Sequence, residues 1–229
     1  MGLIAVLVLV WFFYRANGPQ TTAVLAGTVR AATLLALGAM CGMIGERSGV
    51  VNIGIEGQFL LSAFAAFTIA SMTGSLFMGT IAGVGMGLLM GWVLAGMAVG
   101  LKVDQIIAGT VLNISALGLT SFFYDRSRSL GMGKYTNIDL GPLADLPLVG
   151  TVLFSRPPLT YLTMALLVVV HIALFRSVWG MRTRAIGEHP GAADTVGIDV
   201  IKLRYFNVTI AGGLAGLGGA YLALSLIHI

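Results

Sequence analysis

GERSGVVNIGIEGQFLLSAF, residues 45–64, is a polar, glycine-rich segment that runs directly into an apolar one. Ionisable and amide side chains are costly at membrane depth, so Asn52 and Glu56 are candidates for a functional role. Their four-residue spacing predicts that both lie on one helix face. Glycines at 45, 49, 54 and 57 also favour a bend or a broken helix, which needs surrounding protein or a water-filled cavity. We therefore expect either part of a transport pathway or a structural polar hinge here.

The whole chain is strongly apolar. Of its 229 residues, 57% are hydrophobic and 10% are charged, and the mean hydropathy is +0.95. An ordinary soluble domain has roughly 25% charged residues, so this composition predicts an integral membrane protein. The net charge of +4 comes from basic residues spread over several loops, which excludes a nucleic-acid-binding face and suits loops beside anionic lipid head groups.

Apolar runs near the roughly 20 residues that cross a bilayer predict the spans. They cover residues 23–45, 51–72, 76–101, 106–124, 159–175 and 206–229, and we interpret the shorter run 2–14 as a further, shortened span. Because the runs are continuous and do not alternate, helices are favoured over a barrel. The expected fold is a single all-α transmembrane domain over residues 1–229, a polytopic bundle of about seven spans.

Two longer connections fall on opposite sides of this bundle, over residues 125–158 and 176–205. More Lys and Arg residues lie on the side of the second connection. The positive-inside rule therefore predicts that 125–158 is external and 176–205 is cytoplasmic.

Glycine spacing predicts how two of the spans pack. Gly79, Gly83, Gly87 and Gly91 recur every four residues, and Gly212, Gly216 and Ala220 repeat the pattern in the last span. Small residues at this spacing let helix backbones approach closely. We expect close packing, and the alternative is a surface that slides during transport.

The loop 176–205 contains a second candidate site. Pro190 suits the first turn of a short helix, and Gly197 suits the position just after its end. Ala192, Ala193 and Val196 would give that helix a small apolar face for docking into a protein groove. The alternative is an amphipathic connector that lies on the membrane.

In the span 106–124, Asn113 is a further candidate, because its side-chain amide could form hydrogen bonds to another helix.

Motifs for nucleotide binding or hydrolysis are missing from the sequence, which has no Walker A pattern, no HExxH and no GxSxG. The lone cysteine, Cys41, and three widely separated histidines give no metal-ligand spacing. We therefore expect no catalytic residue, no metal site and no bound cofactor. Any ATP that drives this protein would be bound by a partner subunit.

Residues 45–64 and AIGEHPGAADTVGID at 185–199 closely resemble the permeases of ATP-binding-cassette (ABC) importers for nucleosides and simple sugars. These permeases belong to a wider group that includes branched-chain amino acid and ribose permeases, and GGLAGLGGAYLAL at 212–224 resembles the group's following membrane segment. The resemblance implies a permease of the bacterial or archaeal cytoplasmic membrane that works by alternating access. It also implies partners, namely membrane lipids, a second related permease subunit, a cytoplasmic ABC ATPase and an external substrate-binding protein.

The resemblance assigns roles to individual residues. A coupling element that docks on the ATPase would contain Gly187, Glu188, His189, Pro190, Ala192, Ala193 and Gly197. Asn52, Glu56 and Asn113 would lie near the translocation path. Permeases of this kind continue for further spans, whereas residues 225–229 do not resemble that continuation, so we expect a truncated permease.

Two other function classes fit the residues. A secondary transporter driven by an ion gradient would need an intramembrane carboxylate, for which Glu56 is the strong candidate. A non-transporting scaffold would need only the packed helices.

Overall fold

A computed structural model of the chain describes residues 10–124, 133, 135–139, 141 and 150–226. Residues 10–16 are helical, and the helices that follow are α1 (Gly18–Arg47), α2 (Ile55–Thr73), α3 (Leu76–Ala95), α4 (Gln105–Phe123), α5 (Pro158–Arg176), α6 (Val178–Glu188), α7 (Pro190–Thr195) and α8 (Val200–Tyr221). π-Helical turns extend α3 over Gly96–Gly100 and α8 over Leu222–Leu226, and a third covers Gly150–Phe154. Two short strands, β1 (Ile138–Asp139) and β2 (Ser155–Arg156), pair antiparallel.

Six of these helices are long and apolar enough to cross a membrane: α1, α2, α3 with its π-turn, α4, α5 and α8 with its π-turn. They coincide with the six main runs predicted from the sequence, so the polytopic all-α bundle is confirmed. The predicted run 2–14 lies outside the described residues except for 10–14, which are helical. Most of the predicted external loop 125–158 also lies outside them.

Three helix starts differ from the hydropathy prediction. α1 begins at Gly18, five residues before the predicted start at 23, with Pro19 in its first turn. α8 begins at Val200, six residues before the predicted start at 206, because Asp199 caps its N-terminus and Lys202 and Arg204 occupy its first turns. Charged residues lower the local hydropathy without preventing helix formation. α2 begins at Ile55, four residues after the predicted start, because the preceding backbone is unwound.

α8 is the central helix of the bundle. In its most apolar window 83% of the residues are buried, against at most 44% in the other spans. It packs along α3 through facing glycines, and a Cβ added to Gly91 would lie 2.7 Å from the Val208 carbonyl oxygen. A Cβ on Gly87 would overlap the backbone of Gly212 and Gly216. The predicted close packing of the glycine ridges is confirmed, since any side chain at these points would force the helices apart.

One end of the bundle contains the irregular segments 48–54 and 101–104 and the connection 177–199 with α6 and α7, and we call it the junction face. The side chains of the α4 residue Gln105 and the α8 residue Arg204 form hydrogen bonds with the backbone of segment 48–54. The β1–β2 pair lies at the opposite ends of the spans, in the connection from α4 to α5. The junction face therefore contains both segments that the sequence marks as candidates for function.

Candidate functional site

The segment 48–54 is a break between α1 and α2. α1 ends at Arg47, Gly49 has a φ of +80°, and helical structure resumes at Ile55. Ser48, Val50, Asn52 and Gly54 are buried. The break predicted from the glycines is confirmed, and its backbone lies largely inside protein, as an unwound membrane segment requires.

Two amide side chains of α4 bind the backbone of this break. Asn113 Oδ1 accepts a 2.7 Å hydrogen bond from the Gly57 N–H, and Asn113 Nδ2 donates a 3.1 Å bond to the Ile53 carbonyl. Gly57 is the third residue of α2, so its N–H has no partner within the helix. About two turns earlier in α4, Gln105 accepts from the Val51 N–H at 2.7 Å and donates to the Gly49 carbonyl at 3.3 Å. The hydrogen bonding expected of Asn113 is thus confirmed.

Asn52 and Glu56 do not share a helix face, and that prediction is wrong. Asn52 precedes the helix, is 8% exposed and accepts a 2.9 Å hydrogen bond from the Gly54 N–H. Its Nδ2 donates to Gln58 Oε1 at 3.1 Å, beside Cys41. Glu56 is exposed in the first turn of α2. Helical spacing does not apply, because α2 starts between the two residues.

A groove runs between α2 and α4. At the junction face it has a volume of about 340 Å³ and is lined by Glu56, Gly57, Leu60, Asn113, Ile114 and Leu117. Leu60 and Leu117 also line a wider part of about 540 Å³, where Phe64, Phe67, Thr120, Ser121 and Tyr124 are found. The structure therefore brings Glu56 and Asn113 to one end of this groove and leaves Asn52 outside its lining.

The predicted short helix in the loop 176–205 is confirmed as α7. His189 caps it, with Nδ1 accepting a 3.0 Å hydrogen bond from the Ala192 N–H, and Pro190 takes the first helical position. Gly197 follows with a φ of +83°, where a left-handed residue normally terminates a helix. The Ile198 N–H closes the turn by donating to the Ala193 carbonyl at 3.1 Å.

The residues of this segment divide into an inward and an outward set. Ala193 is 4% exposed, and Gly187 packs on the carbonyl of Arg47. Both residues are therefore packed against other parts of the same chain. The predicted docking face of Ala192, Ala193 and Val196 is therefore wrong for Ala193, because this residue is buried within the chain and is not open to a partner. All other residues of 188–197 are exposed, namely 188–192 and 194–197.

Polar side chains fasten α6 to α8. Asn207 of α8 accepts from Trp179 Nε1 at 3.0 Å and donates to Thr183 Oγ1 at 3.1 Å. Arg204 Nε donates to the Ser48 carbonyl at 2.9 Å, and its Nη2 donates to the Ile186 carbonyl at 3.1 Å. Arg204, Asn207, Gln58 and Gln105 were not among the functional residues predicted from the sequence. Each of these polar residues lies in or beside an apolar run, which could have marked it as a candidate. Their hydrogen-bond partners could not be inferred, because they lie far away in the sequence.

Asp199 fixes the start of α8. Hydrogen bonds from the Lys202 backbone N–H and the Lys202 side chain lower the pKa of Asp199. The carboxylate is therefore charged at neutral pH and caps the helix. This stabilisation is complete above the unfolded-state pKa of the carboxyl group and is lost as the pH falls through its lower folded-state pKa.

Comparison with known proteins identifies the type of chain. Residues 24–229 match the family described as the permease component of the branched-chain amino acid transport system. A candidate glucose ABC transporter permease protein of Haloferax volcanii is 38% identical over 209 residues, which cover 90% of this chain and 64% of that protein.

Two relatives are named for nucleosides. The guanosine ABC transporter permease protein of Bacillus subtilis is 34% identical over 89% of this chain and 67% of its own length. The nucleoside ABC transporter permease protein of Lactococcus lactis is 32% identical over 81% of this chain and 62% of its own length. The chain thus spans about two thirds of the length of these relatives. No solved structure matches it.

Proposed function

The chain belongs to the family of branched-chain amino acid transport system permease components, and we propose that it is a permease subunit of an ABC importer for nucleosides or simple sugars. The six apolar spans among its described residues and its bacterial and archaeal permease relatives make it a multi-pass protein of the cytoplasmic membrane. The observation that carries the proposal is the match to permeases over nearly the whole chain, since three of them are named for glucose, guanosine or nucleosides. In this role the chain is not an enzyme.

In the proposed complex, α7 docks on a cytoplasmic ABC ATPase that binds the ATP. The exposed residues Glu188, His189, Pro190, Ala192 and Val196 form the docking surface. Gly187 and Ala193 hold this surface on the bundle through their internal contacts. A second related permease subunit and an external substrate-binding protein complete the transporter.

Changes to the docking surface should release the ATPase. We expect Glu188→Lys and Ala192→Trp each to reduce co-purification of the ATPase with the permease about tenfold, which corresponds to about 1.4 kcal/mol of binding free energy. The first reverses a charge at the surface and the second adds bulk to it. Both side chains are exposed in the free chain, so its fold and thermal stability should stay unchanged.

Glu46→Lys is the matched control for Glu188→Lys. Glu46 is an exposed carboxylate at the end of α1, on the same face but outside the loop. Its reversal should leave co-purification intact. Equal co-purification for Glu188→Lys, Ala192→Trp and the control would overturn the assignment of α7 as the coupling element.

We place the translocation path along the groove between α2 and α4, which the second permease subunit would face. Glu56 and Asn113 supply polar groups at its junction-face end, while Thr120 and Ser121 supply hydroxyls farther along. Phe67 and Tyr124 lie beside those hydroxyls. Aromatic faces with a few polar groups suit a sugar or a nucleoside.

Filling this groove should slow transport without disassembling the complex. Ser121→Trp places an indole in the wider part of the groove, and we expect uptake to fall about tenfold, equivalent to about 1.4 kcal/mol on the transport barrier. Leu119→Trp is the control, because Leu119 is exposed on α4 but does not line the groove. The path assignment is wrong if the two variants transport equally well.

Uptake by the complete transporter in proteoliposomes tests the function itself. We expect uptake of a nucleoside or a simple sugar that requires ATP and the ATPase subunit. Uptake that persists without ATP and collapses with a protonophore would identify a secondary transporter instead. No uptake of either substrate class with all partners present would indicate a scaffold.

A further inference from the structure

We propose that Arg204 is a positioning residue that transmits movement of the α7 docking surface to the break between α1 and α2. This inference rests on the proposed function and adds the route by which docking reaches the membrane spans. Arg204 lies in the second turn of α8, partly buried between α1 and α6.

The two acceptors of Arg204 are both at the C-terminal ends of helices. Ser48 is the C-cap residue of α1, and Ile186 lies two residues before the end of α6. Carbonyl groups at a helix C-terminus have no partner within the helix and carry the negative end of its dipole. The Arg204 guanidinium donates to both carbonyl groups at once, because its planar set of N–H groups points in two directions. It also remains positively charged, which suits the negative ends of the two helix dipoles. Arg204 is therefore a cationic bridge between two helix ends.

The neighbouring backbone leaves this bridge little freedom. A Cβ on Gly49 would lie 2.8 Å from Arg204 Nη2, so the guanidinium is seated against the turn itself. Gly187, one residue after the acceptor Ile186, packs directly on the Arg47 carbonyl. Because these contacts are close, α6 cannot move away from the break without breaking the hydrogen bonds of Arg204.

Movement at α7 has a continuous route through these contacts. α7 follows α6 after the single residue His189, and Asn207 fastens α6 to α8 through Trp179 and Thr183. Arg204 then joins this unit to Ser48, and the break leads to the Asn113 hydrogen bonds at the end of the groove. The route runs through hydrogen bonds between rigid helices, the type of network that couples distant sites.

Cysteine accessibility at the break gives a direct readout. Val51 is 46% exposed, whereas the native Cys41 is fully buried, so Val51→Cys reports labelling by a water-soluble maleimide with little background. The measurement uses the full transporter with its ATPase, with and without ATP. With Arg204 present, we expect ATP to change the labelling rate about fivefold or more, the lower end of usual allosteric coupling.

Arg204→Gln should remove this ATP response while the ATPase still co-purifies. Lys202→Gln is the matched control. Lys202 lies two residues before Arg204, and its exposed side chain pairs with Asp199. The change therefore removes one positive charge from the same helix without touching the bridge between α1 and α6. The control should keep the response. Arg204→Lys should give a reduced response, because one ammonium group cannot reproduce the two-way fork.

Each outcome decides the matter. An ATP-dependent change in labelling that is as large in Arg204→Gln as in Lys202→Gln would overturn the proposal. If Arg204→Gln does not assemble with the ATPase, a full labelling response in Arg204→Lys would overturn it instead. ATP-dependent uptake without any labelling change at Val51→Cys would overturn the role of Arg204 while the transport function stands. If neither uptake nor ATPase binding is found before Arg204 is changed, the proposed function itself fails.

Discussion

Replacing Gly87 by alanine is expected to push α3 and α8 apart and to lower the free energy of unfolding by about 3 kcal/mol, the upper range for overpacking a core. The added methyl group would overlap the Gly212 carbonyl oxygen and the backbone of Gly216. Backbone atoms cannot rotate away as a flexible side chain can. Since α8 is the central helix, the shift would reach every span packed on it.

The chain offers a matched control for this change two residues away. Gly85 lies on the exposed side of the same helix, and a Cβ there would meet no atom within 4 Å. Gly85→Ala should be neutral or slightly stabilising, because alanine has the higher helix propensity. Thermal unfolding of the purified variants in detergent measures the difference. Equal melting temperatures for the two variants would show that the glycine contact does not limit helix approach.

The glycine contact illustrates what a sequence can predict about a membrane bundle. Spacing of four residues placed Gly87 and Gly216 on packing surfaces, because the period of a helix is fixed by its backbone geometry. Spacing alone did not pair α3 with α8, since the partner of a ridge depends on how all the spans are arranged. The spans followed from hydropathy for the same local reason.

Fewer features of the functional site could be predicted from local sequence patterns. Glycine content predicted the break, and Pro190 with Gly197 predicted α7, because both rest on local backbone preferences. The partners of the break were not predictable. Gln105 and Asn113 come from another span, and Arg204 is 156 residues from Ser48. Ala193 was misplaced because the direction of a short exposed helix depends on its tertiary contacts.

Replacing Asn113 by leucine should have the second large effect. Leucine is close to asparagine in size but cannot accept from the Gly57 N–H or donate to the Ile53 carbonyl. The Gly57 residue is buried whereas Ile53 is exposed, so the loss falls mainly on the Gly57 N–H. A buried group left without its partner costs about 1–3 kcal/mol, and we expect the free energy of unfolding to fall by about 2 kcal/mol. Amide hydrogen exchange over residues 53–57 should accelerate, because the first turn of α2 loses an external cap.

Thr110→Val separates this effect from a general loss of polarity in α4. Thr110 lies one turn earlier, and its hydroxyl donates to the Ile106 carbonyl within the same helix at 2.8 Å. Its removal leaves no group of the break unpaired, so stability and exchange at residues 53–57 should stay close to those of the unmodified chain. If Asn113→Leu unfolds at the same temperature as Thr110→Val, the amide does not hold the break. The unwound segment would then owe its stability to Gln105 and Arg204, which bind the other end of the break.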